Sequence, residues 1–226
     1  MRIGTDTRES GSTMDLQVDL RVVELLASRL CHDLVGPVGA VNNGLELLED
    51  DMDDMGPEAL KLAADSGARA ARALQYFRFA YGMAGSRVGG DLGELRQLAS
   101  NFFGNEKIKL AWPDQVPAGE LPADIGKLLL NMLLLGAEAL PLGGILGAEI
   151  AEDGNKLKVR VVASGDRAAV REEARPAFSA GIQIDDLTPR NVQAFFTCRV
   201  AERMGGALTV DSGMPGTAQF VAILPR

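Results

Sequence analysis

The N-terminal quarter of the chain carries an apolar pattern with the period of one long α-helix. At about 100° per residue, its apolar side chains fall within a stripe roughly 80° wide. The stripe consists of Leu16, Leu20, Val23, Ala27, Leu30, Leu34, Val38, Val41, Leu45 and Leu48. We therefore predict a helix over residues 14–49 with this stripe as its buried seam.

A second helical pattern follows a turn-forming segment at residues 50–57, DDMDDMGP. Its aspartates lack the spacing of a calcium loop and its Gly-Pro pair is typical of a helix start, so we predict a solvated hairpin tip. The next helix, predicted over residues 57–85, repeats an apolar or small residue at every seventh position: Leu60, Gly67, Leu74 and Tyr81. Two antiparallel helices cannot cover both apolar faces alone. We therefore expect the hairpin, residues 14–85, to form a dimeric four-helix bundle with a second copy of the chain.

The rest of the chain alternates helical and strand patterns after a glycine-containing linker at residues 86–90. Helices are predicted over residues 92–103, 124–140 and 191–204, and strands over 108–112, 147–151, 156–163, 207–210 and 219–224. Turn residues join the last four strands into two antiparallel hairpins. This alternation predicts an α+β protein whose residues 91–226 form an α/β sandwich.

Composition narrows the class of protein. The chain has 226 residues, of which 46% are hydrophobic, and it lacks a run of about 18 apolar residues, so we expect a globular protein without membrane insertion. Residues 1–13 are polar and contain no apolar signal core, which favours a disordered leader on a cytoplasmic protein. A formal charge of −8 argues against nucleic acid as the partner. The two cysteines, Cys31 and Cys198, match no metal-binding spacing.

The only histidine of the chain, His32, lies on the first predicted helix. It is about 160° from the centre of the apolar stripe, so we expect its imidazole to face solvent. Asp33 is expected to hydrogen-bond one ring nitrogen and to fix the tautomer in which the other nitrogen is free to attack. Pro37 removes one backbone hydrogen bond and is expected to bend the helix just beyond this site.

The segment CHDLVGP, residues 31–37, resembles the H-box of sensor histidine kinases, in which a histidine precedes an acid and a leucine and a proline follows five residues later. The C-terminal half is similar to the ATP-binding domain of those kinases, which has the Bergerat fold. Residues 133–140 resemble its N-box helix, residues 161–167 its first glycine box and residues 203–206 the start of its closing hairpin. The resemblance implies a phosphoryl-accepting His32.

The nucleotide-binding residues of that domain are not matched. Gly136 stands where the kinases have a magnesium-binding asparagine, and Ala163 stands where they have an aspartate that binds the adenine amino group. Arg167 stands where a glycine allows the backbone to turn past the base. Residues 188–193, TPRNVQ, replace a glycine-rich phosphate loop whose backbone amides need positive φ angles. The resemblance therefore implies a degenerate domain that binds no ATP and no other cofactor.

From about Leu16 onward the chain is similar to the ChpT family of alphaproteobacterial histidine phosphotransferases. That resemblance implies a homodimer in a cell-cycle phosphorelay, with the receiver domain of a CckA-like hybrid kinase as donor and CtrA-like and CpdR-like receivers as acceptors. Mg²⁺ is expected to come from the receiver. We expect receivers to dock on the His32 face of the helix, at Leu25, Ser28, Arg29, Gly36, Gly39 and Asn43.

Two questions stay open at this point. The first concerns Arg29, which either favours the anionic phosphohistidine or is a solvated helix charge. The second concerns the function of the chain, for which there are three possibilities. The chain is either a phosphotransferase or an active ATP-dependent sensor histidine kinase core, and nucleotide binding distinguishes these two. A non-catalytic dimeric adaptor is the third possibility, and it predicts that His32 is dispensable for signalling.

Overall fold

The computed structural model describes residues 19–49, 56–83, 91–104, 107–113, 121–179, 181–211 and 214–226. The helices are α1 (Leu20–Glu49), α2 (Gly56–Ala80), α3 (Leu92–Phe103), α4 (Ile125–Glu138) and α5 (Val192–Arg203). The strands are β1 (Ile108–Ala111), β2 (Gly144–Asp153), β3 (Lys156–Ser164), β4 (Ala207–Asp211) and β5 (Thr217–Pro225). Two 3₁₀ helices, Glu172–Phe178 and Ile184–Asp186, complete the list. Four predicted segments lie outside the described residues: the leader, the first turn of the first helix at residues 14–18, the hairpin tip at 50–55 and the linker at 86–90.

α1 and α2 form an antiparallel hairpin that packs through small residues. Gly44, near the end of α1, meets the first turns of α2. A Cβ atom at Gly44 would lie 2.8 Å from the carbonyl oxygen of Ala59 and 2.9 Å from the nitrogen of Ala63, and both alanines are buried. Backbones this close leave no room for a leucine between them, so the apolar stripe of α1 points elsewhere.

Much of the predicted seam of α1 is therefore exposed within one protomer, although Leu30 and Leu34 pack partly against the core. Its leucine and valine side chains keep between 37% and 69% of their surface exposed at Leu20, Val23, Val38, Leu45 and Leu48. Two leucines of the predicted seven-residue repeat in α2, Leu60 and Leu74, are also exposed. The helical wheel located the stripe, and α2 leaves it uncovered because α2 contacts the neighbouring face of α1. Burial of the stripe by a second copy of the chain stays a prediction.

The described strands form one mixed five-stranded sheet in the order β1-β2-β3-β5-β4. β1 pairs with β2 in parallel, and the other neighbours are antiparallel. The parallel pair, which the sequence did not predict, requires a crossover, and α4 supplies it. In β3, alternate residues from Leu157 to Ala163 are buried against the helices. The α+β class and the α/β sandwich in the C-terminal half are confirmed.

α4 is buried on all sides because it lies between the sheet and the hairpin. Residues 125–136 are all buried. On the sheet side, a Cβ atom at Gly136 would lie 2.4 Å from Cδ1 of Leu146. On the hairpin side, the Tyr76 hydroxyl donates a hydrogen bond to the carbonyl of Leu130 at 2.8 Å, so both halves of the protein share one hydrophobic core. Despite the apolar character of α4, none of the described helices is both long and apolar enough to cross a membrane.

A buried chain of hydrogen bonds also joins the end of α2 to α4 and α5. The side-chain amide of Asn131 donates to the carbonyls of Ala80 at 2.6 Å and Lys127 at 2.8 Å. Its oxygen accepts a hydrogen bond from the Gln193 amide at 2.9 Å. Gln193 in turn accepts one from the Tyr81 hydroxyl. These bonds help to fix the orientation of the hairpin relative to the sandwich, because they connect the end of α2 to α4 and α5 in the buried interior.

Replacing Asn131 with leucine is expected to lower the free energy of unfolding by about 2–4 kcal/mol, because the Ala80 carbonyl and the Gln193 amide lose a buried partner. Urea denaturation followed by circular dichroism measures the change. Gln97→Leu is the matched control, because Gln97 is exposed on α3 and bonds its neighbour Asn101 at the surface. The control is expected to change stability by less than about 0.5 kcal/mol. Equal losses in the two variants would contradict a stabilising role for the buried network.

Candidate functional site

His32 projects from the middle of α1 into solvent, as the wheel predicted. Its side chain is 89% exposed. The Nδ1 atom lies 3.3 Å from Oδ1 of Asp33, so this carboxylate is placed to accept a hydrogen bond from Nδ1–H. The geometry leaves Nε2 as the outward nitrogen. An imidazole held in this way presents Nε2 to a partner that approaches from solvent.

The helix around His32 leaves open space. Gly36 and Gly39 have no atoms within 4 Å of the place where a Cβ atom would be. Pro37 lies inside α1 and has no backbone N–H, so it cannot donate to the carbonyl of Asp33 one turn earlier. A docking protein therefore meets a helix surface with few side chains in its way.

Six residues were predicted to form the docking face around His32, and they differ in how exposed they are in the structure. Ser28, Gly36 and Asn43 are exposed, and Gly39 is partly exposed. Leu25 is partly buried against the shared core. Arg29 differs most from the prediction, because its side chain is only 16% exposed and forms an ion pair with Glu138 at the end of α4. Neither alternative proposed for Arg29 from the sequence describes this arrangement.

Charges around Arg29 are closely spaced. Burial opposes its positive charge, but Glu138 and, to a smaller extent, Tyr81 and Asp33 outweigh that cost, so the pKa of Arg29 is raised. Burial also raises the pKa of Tyr81, which keeps its hydroxyl protonated as the donor to Gln193. Nε of Arg29 is buried without a hydrogen-bond partner among the described residues. The guanidinium is thus charged, buried and only partly satisfied.

A groove of about 790 Å³ runs between the hairpin and the C-terminal half beside this cluster. Asp33 and Pro37 of α1 form one wall, and Arg69 and Arg72 of α2 contribute basic groups. Aromatic side chains from α2 and α3, among them Phe77, Phe102 and Phe103, line its floor. The groove starts directly beside the residue next to His32, so a protein that reaches the imidazole also covers this surface.

A small cavity of about 10 Å³ lies beside the end of α4. It is lined by Leu135, Ala139, Val170, Ala174, Phe178 and Phe220 among others, and by none of the positions that stand for nucleotide-binding residues of the kinases. Ligand pockets for small molecules measure about 300–1,000 Å³. The 3₁₀ helix Glu172–Phe178 contributes Ala174 and Phe178 to the lining of this cavity, and the Phe178 ring packs 6.0 Å from that of Phe220. A Cβ atom at Gly136 would meet Leu146 and Val161 of the sheet.

Glu138, Tyr81 and Gln193 were not identified as site residues from the sequence. Glu138 belongs to α4, Tyr81 to the turn after α2 and Gln193 to α5. Only the packing of these segments brings them to Arg29. Glu138 did carry a signal, since it is the one charged residue in the segment MLLLGAEAL, residues 132–140, at the end of an apolar helix. Among the described residues, no three histidine, cysteine or acidic side chains group in a way that holds a metal ion.

Comparison with known proteins finds one matching family description, the histidine phosphotransferase C-terminal domain, over residues 92–215. The protein phosphotransferase ChpT of Brucella abortus (strain 2308) is 35% identical over 203 residues, covering 88% of this chain and 95% of that protein. The solved structure of a bacterial phosphotransferase is 32% identical, with a TM-score of 0.78 over 91% of this chain and 97% of its own.

Proposed function

The chain belongs to the histidine phosphotransferase family, and from this premise we propose that His32 accepts a phosphoryl group from a receiver-domain aspartate and passes it to another receiver aspartate. One observation carries the proposal: the only histidine of the chain is almost fully exposed beside a carboxylate 3.3 Å away. An exposed nucleophile on a rigid helix fits transfer between proteins better than chemistry on a small enclosed substrate. The resemblance points to a CckA-like donor and to CtrA-like and CpdR-like acceptors in the cytoplasm.

Nε2 of His32 is the proposed nucleophile, because Nδ1 faces Asp33. Its lone pair attacks phosphorus in line with the bond to the receiver aspartate, and that P–O bond breaks as the carboxylate leaves with the electron pair. The proton stays on Nδ1, so the imidazole carries a positive charge while it holds the phosphoryl group. Asp33 stabilises that charge. Magnesium and a lysine of the receiver neutralise the phosphoryl oxygens, and the reverse reaction on a second receiver restores neutral His32.

Receiver domains are proposed to dock across the exposed face of α1 and into the adjoining groove. Ser28, Gly36, Gly39 and Asn43 provide the open surface around the imidazole. The C-terminal half supplies the far wall of the groove. Buried hydrogen bonds hold the two halves together, so the exposed face of α1 and the far wall of the groove keep a fixed relative position when a receiver docks.

A homodimer is proposed from the exposed apolar stripe of α1 together with Leu60 and Leu74 of α2. Seven large apolar side chains exposed on two neighbouring helices are typical of a protein interface. A second hairpin related by a two-fold axis covers it and completes a four-helix bundle. His32 lies on another side of α1, so the dimer leaves both imidazoles accessible.

ATP is proposed not to bind, because Gly136, Ala163 and Arg167 replace the residues with which the similar kinases hold magnesium and adenine. Addition of Mg-ATP is expected to leave the thermal midpoint unchanged within about 1 °C, whereas a ligand at 100 times its dissociation constant would raise it by about 5 °C or more. Differential scanning fluorimetry measures the midpoint, with magnesium alone as the control. A concentration-dependent rise with Mg-ATP would favour an active histidine kinase core.

A two-step relay tests the function. A receiver domain carrying ³²P on its aspartate is mixed with the protein, separated from it, and the protein is then mixed with an unlabelled second receiver. Label is expected on the protein after the first step and on the second receiver after the next. A non-catalytic adaptor binds the receivers but takes up no label, so an unlabelled complex would overturn the proposal.

A further inference from the structure

Arg29 lies between two carboxylates of different roles. One is Glu138, with which it forms the ion pair across the boundary between hairpin and sandwich. The other is Asp33, which follows it by four residues on α1, the spacing at which oppositely charged side chains on a helix pair. Asp33 already contributes to the raised pKa of Arg29. The two carboxylates therefore compete for one guanidinium.

The carboxylate that pairs with Arg29 decides whether Asp33 is available to accept a hydrogen bond from His32. In the structure Arg29 pairs with Glu138, and the Asp33 carboxylate is directed to Nδ1 of His32 at 3.3 Å. An arginine that paired with Asp33 would draw the carboxylate toward Arg29, one turn back on α1, and away from the imidazole. Charged hydrogen bonds to arginine are roughly twice as strong as neutral ones, so the imidazole would lose such a contest.

We infer that Glu138 is a positioning residue, which holds Arg29 away from Asp33 and so keeps the Asp33 carboxylate available to orient His32. The inference rests on the proposed function of His32 and adds to it a residue from the degenerate domain, which thereby contributes to the site without binding a nucleotide. Glu138 acts through Arg29 and Asp33 and does not touch the imidazole.

Neutralising Glu138 is expected to redirect Arg29. A buried guanidinium that loses its charged partner moves to the nearest remaining carboxylate, because an unpaired buried charge is costly. On α1 that carboxylate is Asp33. In Glu138→Gln the Nδ1–H tautomer of His32 then loses its acceptor and its population falls. Transfer from a phosphorylated receiver is expected to slow about three- to tenfold, the net worth of one typical hydrogen bond at the protein surface.

The test uses the fact that His32 is the only histidine of the chain. Protein labelled with ¹⁵N-histidine gives one imidazole, whose nitrogen shifts report the tautomer ratio without any receiver present. Variants are Glu138→Gln, Glu138→Ala and the double variant Arg29→Gln/Glu138→Gln, which removes both competing charges. Glu149→Gln is the matched control, because Glu149 pairs with Arg160 on the outer face of the sheet.

Both Glu138 single variants are expected to lower the Nδ1–H fraction and the transfer rate, while the double variant and Glu149→Gln are expected to match the parent protein. Unchanged tautomer ratios in the single variants, or no recovery in the double variant, would overturn the inference. A parent protein that takes up no label on His32 would instead refute the proposed function, and the tautomer ratios would still decide whether Glu138 controls Asp33.

Discussion

Substitution of His32 by asparagine is expected to reduce phosphorylation of the chain by a phosphorylated receiver to background, a loss of at least about a hundredfold. Asparagine offers an amide that is not nucleophilic at neutral pH, and no other histidine exists to replace the imidazole. The side chain is 89% exposed, so its removal is expected to change the free energy of unfolding by less than about 0.5 kcal/mol. Incorporation of ³²P from the receiver measures the loss.

The matched control is Glu24→Asn, an exposed substitution on the same helix outside the face of His32. It is expected to take up label at the parent rate. Circular dichroism and size-exclusion chromatography of both variants separate loss of the nucleophile from loss of structure. Full labelling of a folded His32→Asn variant would mean that another residue accepts the phosphoryl group.

A second large effect is expected in assembly. The double substitution Val38→Glu/Leu45→Glu places two carboxylates on the exposed stripe of α1, and the loss of apolar burial together with the cost of burying charge prevents pairing. Each protomer has a mass of 23.9 kDa. Sedimentation velocity is expected to give twice this mass for the parent protein and the single mass for the variant, a shift of at least about a hundredfold in the dimer dissociation constant.

Val35→Glu controls for added surface charge. Val35 is 68% exposed on α1, more than either substituted residue, but it lies roughly 100° from the centre of the stripe. This variant is expected to remain dimeric. A parent protein that sediments as a monomer at micromolar concentration would contradict the proposed bundle, as would a dimer that tolerates both glutamates on the stripe.

Local patterns were sufficient to predict most elements of the fold. The predicted helix at residues 92–103 agrees with α3 at both ends, since Asp91 caps it by accepting hydrogen bonds from the backbone of Gly93 and Glu94. Helical periodicity was sufficient to predict that His32 faces solvent, because the direction of its side chain depends on a single helix. Parallel pairing of β1 with β2 was missed, because it joins segments separated by a whole helix and no turn signal marks it.

The surroundings of Arg29 show what the sequence does not encode locally. Its spacing from His32 suggested a solvent-facing charge or a phosphate contact, yet the side chain is buried against Glu138 from a helix more than a hundred residues away. The same limit applies to the stripe of α1. Periodicity identified an apolar surface, but only the close approach at Gly44 shows that α2 leaves this surface uncovered.

The central claim is that His32 itself carries the phosphoryl group, and the most direct measurement is nuclear magnetic resonance of ¹⁵N-histidine-labelled protein after mixing with a phosphorylated receiver. The account predicts that the one imidazole signal shifts and that Nε2 shows scalar coupling to ³¹P, while Nδ1 keeps its proton. A chain that has taken up phosphate with its imidazole signals unchanged, as expected if a carboxylate such as Asp33 were the acceptor, would contradict it.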